Sequence, residues 1–208
     1  FNNAEDLQKY PRTLEKDANL LESLGVHFVF APTPEEMYTP EEMQQPFSFD
    51  FNGLDTVMEG KMRPGHFNGV VQVVSRLFEL VRPTRAYFGE KDFQQLAIIR
   101  HMVDQSSLAG QFEGLKIIGC PIVREKSGLA MSSRNERLSE NEKQIAVGIS
   151  KTLISSVEWA KNTSVEDVKQ RVIDTINAID GLEVEYYEIV DKTTLQPTNT
   201  FQNAIGCV

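Results

Sequence analysis

The alternation of short apolar strands with amphipathic helices in the middle of the chain most constrains its fold. Residues 85–88 (Arg-Ala-Tyr-Phe) and 115–119 (Leu-Lys-Ile-Ile-Gly) are typical of strands, and residues 93 to about 106 are typical of a helix between them. An apolar helix is expected after Gly65, and residues 26–31 are typical of a buried strand. Because strands alternating with helices form parallel sheets through right-handed crossovers, we expect an α/β fold with a parallel sheet.

The pattern changes after residue 123, where helices dominate. Residues 139–142 (Ser-Glu-Asn-Glu) form a capping box before a long helix, and residues 164–167 (Ser-Val-Glu-Asp) open a second helix. In residues 182–190, apolar and polar side chains then partly alternate, as they do in a half-buried strand. The sequence therefore predicts an α+β module that begins near residues 121–124, and a cleft between the two modules where ligand pockets are common.

Charge and composition narrow the classes of function. The net charge of −9 argues against a nucleic-acid surface. No stretch approaches the ~20 consecutive apolar residues of a membrane span, and no signal-peptide pattern follows Phe1. Residues 61–137 nevertheless carry a net charge of +5, against −14 for the rest of the chain. A basic segment within an acidic chain is typical of a site for a small polyanion.

The first polar cluster lies at the expected turn from strand to helix, where open α/β sheets bind ligands. Gly89 permits close backbone approach, and the helix that follows directs N–H groups and its positive dipole end at an anion. Lys91 supplies a mobile point charge suited to a triphosphate. Asp92 accepts either from a ribose hydroxyl or from the backbone as a helix cap, and the spacing fits both.

The second cluster comprises residues 131–135 (Met-Ser-Ser-Arg-Asn), which follow the flexible pair Ser127-Gly128. The hydroxyls of Ser132 and Ser133 allow backbone N–H groups to approach an anion, and the guanidinium of Arg134 can bind two phosphate oxygens at once. The alternative is a surface loop that caps the helix near residue 139. Because both polar clusters occur within about 45 residues, we favour a nucleotide phosphate site.

Four further positions have a structural interpretation, and Gln95 and His66 also have a functional one. Gln95 projects from the first helical turn beyond Asp92, and its amide can both donate to and accept from a hydroxy acid; a surface glutamine is the alternative. Val73 and Val74 are interpreted from their spacing as core. His66 lies at a helix start, where it is a general acid, a phosphate ligand or, most commonly, a structural residue.

Three blocks of the chain resemble, in order and spacing, the signature blocks of the pantoate–β-alanine ligase family: Arg63-Pro-Gly-His-Phe-Asn-Gly69, Phe88-Gly-Glu-Lys-Asp-Phe-Gln-Gln95 and Gly128-Leu-Ala-Met-Ser-Ser-Arg-Asn135. Residues 6–13 are similar to another family block. The family's H-x-G-H motif, which would precede Phe1, is absent, as are the family's last residues. We therefore expect a fragment of the enzyme that is inactive on its own.

The resemblance implies a domain organisation, a reaction and its setting. Residues 1–122 would form a Rossmann-like domain for ATP and pantoate, and residues 123–208 an α+β domain. The reaction would condense pantoate with β-alanine through a pantoyl adenylate, using ATP and Mg²⁺ and releasing AMP and pyrophosphate. A cytoplasmic homodimer is implied, without nucleic-acid or membrane partners. The alternatives are another nucleotidyltransferase of the same superfamily and an inactive structural fragment.

The resemblance also assigns residues. Residues 89–92 (Gly-Glu-Lys-Asp) and 131–134 (Met-Ser-Ser-Arg) would bind ATP, and the backbone of Val123 would contact adenine. The residues that would stabilise the charge on the phosphates are Lys91, Ser132, Ser133 and Arg134. Pantoate would lie against Gln95, Val73 and Val74.

Two positions near the start of the chain stay open. Residues 10–12 (Tyr-Pro-Arg) either pack or border the nucleotide. In the resemblance, Asp17 matches a position near the metal in some relatives. Lys16 stands beside it where a carboxylate can occur, so the metal ligands are not identified.

Overall fold

The computed structural model describes residues 13–105 and 110–208. The expectations for residues 6–12 therefore lie outside the described residues. The chain divides into two units, residues 1–48 and 49–208. The expected boundary between residues 122 and 123 falls within the second unit and stays a prediction.

The elements of the described residues follow one another along the chain. Three helices lie in the first unit: α1 (Leu14–Ser23), α2 (Pro34–Met37) and α3 (Pro40–Gln44). The second unit holds α4 (Met58–Met62), α5 (His66–Val81), β1 (Arg85–Gly89), α6 (Phe93–Asp104), β2 (Lys116–Cys120), α7 (Glu140–Trp159), α8 (Val165–Asn177), β3 (Glu188–Asp191) and β4 (Ala204–Cys207). Short 3₁₀ turns span Glu90–Asp92 and Ser133–Arg137.

The first unit corrects one prediction. Residues 26–31 form no strand, and the side chain of Phe28 is 91% exposed. The prediction of a buried strand is wrong because a strand needs a neighbouring backbone for its hydrogen bonds. The described residues provide no such ladder for residues 26–31, and an apolar run does not supply one by itself.

The parallel sheet expected in the second unit is confirmed. Strand β1 pairs with β2 in parallel, with Arg85 opposite Lys116 and Gly89 opposite Cys120. Helix α6 connects the two strands and packs on them through its buried face. A Cβ atom at Gly119 would lie 3.1 Å from a methyl carbon of Leu96, so the glycine allows the helix to approach the sheet closely.

A buried glutamine ties α6 to the segment that carries α4. The Nε2 of Gln94 donates to the carbonyl oxygens of Leu54 at 2.7 Å and Val57 at 2.9 Å. Its Oε1 accepts from the N–H of Gly60 at 3.3 Å. Since a buried amide must be paired, these bonds hold α4 against the start of α6 and so place Glu59 beside the turn that follows β1.

The C-terminal part of the second unit has its own core. The buried face of α8 (Val165, Val168, Val172 and Ile176) packs against Tyr187 and Ile189. The predicted capping box is confirmed, since Glu142 N–H donates to the Ser139 hydroxyl and the Glu142 carboxylate accepts from Ser139 N–H. The strand expected over residues 182–190 is shorter, because β4 offers only the four partners Ala204–Cys207 to residues 188–191.

Candidate functional site

The turn between β1 and α6 presents a lysine and two carboxylates. Its 3₁₀ turn spans residues 90–92, and the Nζ of Lys91 lies 3.4 Å from Oδ1 of Asp92. Asp92 stands at the N-cap position of α6 but makes no side-chain capping bond. The helix-cap alternative for Asp92 is therefore not realised, and its carboxylate faces the ammonium of Lys91 instead.

Gly89 is not required by the fold. Its φ of −71° and ψ of 134° suit any L-residue. A Cβ atom at this position would meet only the backbone nitrogen of Lys91, at 4.0 Å. Neither packing nor backbone conformation explains the glycine, so the open space above it remains available to a ligand.

A narrow hairpin over residues 123–131 precedes the serine-rich loop. Met131 N–H donates to the Val123 carbonyl at 2.9 Å, and Glu125 N–H donates to the Leu129 carbonyl at 2.8 Å. The turn requires Gly128, whose φ is +97°. As a result the side chains of Val123 and Met131, 66% and 57% exposed, lie at the same open end of the hairpin.

The loop that follows is fixed by its own hydrogen bonds. The Ser132 hydroxyl accepts from the N–H of Arg134 at 3.2 Å and starts the 3₁₀ turn. The Asn135 amide donates to the carbonyl of Ala130 at 2.9 Å. Helix α7 is capped by Ser139 itself, so the loop is not the cap of that helix. The capping alternative for Ser132 and Ser133 is therefore wrong.

The two polar clusters meet in one cavity of about 700 Å³. Its lining includes six residues of these two clusters: Glu90, Lys91, Asp92, Ser132, Arg134 and Asn135. Other described residues given a role in the sequence analysis do not line it: Gly89, Val123, Met131, Ser133, Gln95, Val73 and Val74. The structure thus brings together a lysine, a serine and an arginine of the two clusters, and the individual roles remain predictions.

Gln95 and the valines lie on helices next to the cavity-lining segments. Gln95 is half-buried on α6, one residue after the buried Gln94. Val73 is 43% exposed, so its interpretation as core is wrong, and Val74 is half-buried. The buried face of α5 includes Val71. Val73 comes two residues later, which places it on the opposite side of the helix.

Sequence reasoning missed several residues of the cavity wall. Glu59 lines it from α4, Arg63 from the position just after that helix, Arg124 from the hairpin, and Tyr186 and Cys207 from the C-terminal part. The spacing of Glu59 and Arg63, four residues apart on a helix, is a signal that could have identified an ion pair. No local pattern marks Tyr186 or Cys207, because only the tertiary fold brings them to the cavity.

Glu59 lies at the centre of a charged group on this wall. Its Oε1 accepts from Nη1 of Arg63 and lies 3.9 Å from Nε2 of His66. Burial lowers the pKa of His66, and the charges of Arg63 and Arg134 lower it further. The lowered pKa favours the neutral imidazole.

Two of the C-terminal residues that line the cavity, Tyr186 and Cys207, are neutral at physiological pH. Burial, with a contribution from Glu59, raises the pKa of Tyr186 to about 12. Burial alone raises the pKa of the Cys207 thiol to about 11. Both side chains therefore face the cavity as protonated groups, and neither adds to its charge.

The described residues, 13–105 and 110–208, contain no group of three or more His, Cys, Asp or Glu side chains placed to hold a metal ion. Among these same residues, no helix has the length and apolar character needed to cross a membrane.

Comparisons with known proteins agree with one another. A family model described as pantoate-beta-alanine ligase matches residues 1–208. The pantothenate synthetase of Phocaeicola vulgatus is 56% identical over 211 residues, which cover 100% of this chain and 72% of that protein. The pantothenate synthetase of Bacteroides fragilis strain YCH46 is 54% identical over the same shares.

Solved structures show the same likeness. A crystal structure of pantothenate synthetase from Thermus thermophilus has a TM-score of 0.86 and 40% identity, covering 97% of this chain and 71% of that one. Pantoate-beta-alanine ligase from Francisella tularensis, complexed with beta-gamma ATP and beta-alanine, has a TM-score of 0.72 and 33% identity, covering 90% and 66%.

Proposed function

We propose that this chain, which belongs to the pantoate–β-alanine ligase family, makes pantothenate by the ATP-dependent ligation of pantoate to β-alanine. The observation that carries the proposal is the meeting of Lys91, Ser132 and Arg134 in one cavity of about 700 Å³. A cavity of this size falls within the range of small-molecule sites. The relative from Francisella tularensis, whose structure contains ATP and β-alanine, supports the same substrates here.

The triphosphate of ATP lies between the two polar clusters in this proposal. Lys91 and Arg134 neutralise phosphate oxygens, and Ser132 and Ser133 direct hydroxyl and backbone donors at them. The open space above Gly89 admits a phosphate close to the backbone at the start of α6. Glu90 and Asp92 line the same cavity beside Lys91, where Asp92 can accept from the ribose.

The adenine base contacts the exposed end of the hairpin. Val123 and Met131 are both exposed, lie side by side, and are tied through the hydrogen bond between their backbones. The carbonyl of Val123 already accepts from Met131, and a carbonyl has two lone pairs, so it can accept one further bond from the base. The apolar side chains supply a surface on which the ring can stack.

The first chemical step forms a pantoyl adenylate. A carboxylate oxygen of pantoate attacks the α-phosphorus, the bond from that phosphorus to the bridging oxygen breaks, and pyrophosphate leaves with the bond electrons. Little covalent chemistry is required of the protein, so catalysis rests on positioning and on charge stabilisation by Lys91, Ser132, Ser133 and Arg134.

The second step forms the amide. The neutral amine of β-alanine attacks the acyl carbon, the bond from that carbon to the AMP oxygen breaks, and the nitrogen loses a proton. The products are pantothenate and AMP. Water must be excluded from the adenylate, because water would hydrolyse it.

Pantoate is held by Gln95 and by Val73 and Val74. The amide of Gln95 pairs with the hydroxyl and carboxylate of the acid, and the valines contact its methyl groups. The exposure of Val73 and the partial exposure of Val74 and Gln95 leave all three accessible, which supports this assignment.

Mg²⁺ enters with ATP as its phosphate complex. This ion retains waters and takes one or two carboxylates plus phosphate oxygens, so it does not need a cluster of three protein ligands. The carboxylate of Glu90, which lines the cavity, fits that requirement. When bound, the ion would neutralise charge on the phosphates.

The family resemblance further supports a homodimer in the cytoplasm. Both cysteines, Cys120 and Cys207, are free thiols, as a reducing compartment favours. Light scattering on the purified protein would give twice the chain mass for a dimer and the chain mass for a monomer.

Exchange of labelled pyrophosphate into ATP tests the function. With the chain extended before Phe1 by an H-x-G-H segment, exchange that depends on pantoate, together with pantothenate formation after β-alanine is added, is the expected result. A different nucleotidyltransferase would show no pantoate dependence, and that outcome would contradict the proposal.

A further inference from the structure

The block Arg63-Pro-Gly-His-Phe-Asn-Gly69 has no part in the reaction described so far. Arg63, its first residue, nevertheless lines the cavity that holds Lys91 and Arg134. Its side chain is 29% exposed, which leaves the guanidinium within reach of a ligand. An arginine on the wall of a phosphate-binding cavity supplies a planar donor group suited to two phosphate oxygens.

Glu59 fixes the position of this arginine. It stands four residues before Arg63, and its Oε1 accepts from Nη1 of Arg63. The same oxygen lies 3.9 Å from Nε2 of His66. Only one of the two terminal nitrogens is engaged in this bond, so the remaining N–H groups of the guanidinium can point elsewhere.

A second arginine, Arg134, lines the same cavity. Arg63 and Arg134 both line the cavity, together with Glu59 and Lys91. The side chains of Arg63 and Arg134 therefore belong to the lining of one cavity. Two guanidinium groups in one cavity can together donate to the oxygens of a bound polyanion.

We propose that Arg63, held in place by Glu59, binds the β- and γ-phosphates of ATP that leave as pyrophosphate. Glu59 is then a positioning residue, and Arg63 contacts the substrate directly. The inference rests on the proposed function for the identity of the nucleotide, but the recognition of a polyphosphate by Arg63 can be measured by itself.

The chain contains a matched control pair. Arg76 and Glu79 on α5 form an ion pair with 29% and 39% side-chain exposure, close to the 29% and 36% of Arg63 and Glu59. Neither Arg76 nor Glu79 lines the cavity among the residues described. Breaking either ion pair should therefore change the stability of the fold to a similar extent. Only the pair that contacts the ligand should also change ligand binding.

The experiment compares Arg63→Ala with Arg76→Ala by calorimetry and by pyrophosphate exchange. We expect Arg63→Ala to weaken binding of ATP and of pyrophosphate roughly tenfold to a hundredfold, as loss of hydrogen bonds to a charged group does. Binding of AMP and the KM for pantoate should stay unchanged, and Arg76→Ala should alter none of these values.

Conservative variants keep the test valid if the alanine variant does not fold. Arg63→Lys should restore only part of the pyrophosphate affinity, because a lysine retains the charge but not the planar pair of donors. Glu59→Gln should weaken pyrophosphate binding less than Arg63→Ala does, whereas Glu79→Gln should not weaken it.

Several outcomes would overturn the inference: equal effects of the Arg63 and Arg76 variants, a loss confined to pantoate, or equal losses for AMP and ATP. Absence of pantoate-dependent exchange in the unaltered protein would count against the proposed function alone. Calorimetry with pyrophosphate would still decide the role of Arg63 in that case.

Discussion

Replacing Gly89 by alanine should separate the stability of the fold from its binding of ATP. The backbone at Gly89 has a φ of −71°, and the nearest atom to an added Cβ is the Lys91 nitrogen at 4.0 Å. The methyl group therefore meets no strain in the free protein. Because alanine restricts the unfolded chain, the free energy of unfolding should rise by about 0.4–1 kcal/mol.

The same methyl group should impair ATP binding, since it occupies the space through which a phosphate reaches the start of α6. One charge-assisted hydrogen bond is worth about 1.5–3 kcal/mol, which corresponds to a roughly tenfold to hundredfold weaker Kd. Urea unfolding measures the first quantity and titration calorimetry with ATP the second.

Gly69→Ala provides the matched control for this substitution. Gly69 lies inside α5, and an added Cβ there has no neighbouring atom within 4 Å. This variant should also gain stability, about 0.5–1 kcal/mol from helix propensity, and should bind ATP like the unaltered protein. Unchanged ATP affinity in Gly89→Ala would refute the proposed approach of phosphate to this turn. A loss of stability would show instead that the fold requires the glycine.

Three other substitutions test separate parts of the account. Lys91→Ala should slow pantoate-dependent pyrophosphate exchange by roughly 10²-fold or more, as loss of a preorganised charge does, and an unaltered exchange rate would exclude that role. Gln95→Ala should weaken pantoate binding by about 0.5–1.5 kcal/mol while ATP binding is retained; equal losses in calorimetry would argue against the assignment. Ser139→Ala should lower the free energy of unfolding by about 1 kcal/mol in urea, whereas Ser155→Ala on the exposed face of α7 should not.

Local patterns predicted most elements of the second unit. The capping box at Ser139 and Glu142 gave the start of α7, and the apolar spacing after Gly65 gave α5. The turn after Phe88 was located correctly, because a strand followed by a polar helix start leaves few alternatives. These features depend on residues close in sequence, so the sequence alone contains the necessary information.

Features that depend on distant partners were not predictable in the same way. Residues 26–31 carry the composition of a strand, yet pairing depends on a neighbour that composition does not specify. Val73 is exposed because another face of α5 packs on the rest of the unit, and the sequence of the helix does not specify which face packs.

The cavity wall shows the same limit. Tyr186 reaches the cavity through the C-terminal part and has no motif of its own. The ion pair of Glu59 with Arg63 was detectable from spacing. Its place in the cavity that Lys91 also lines depends on the hydrogen bonds of Gln94 to the α4 segment.

The path of oxygen during the reaction tests the central claim most directly. Pantoate labelled with ¹⁸O in both carboxylate positions should pass one labelled oxygen to the phosphate of AMP, because the carboxylate attacks the α-phosphorus and the C–O bond breaks in the second step. Phosphorus NMR would detect this as an isotope shift in AMP. Label in inorganic phosphate, with ADP as the other product, would show attack on the γ-phosphorus and would contradict the account.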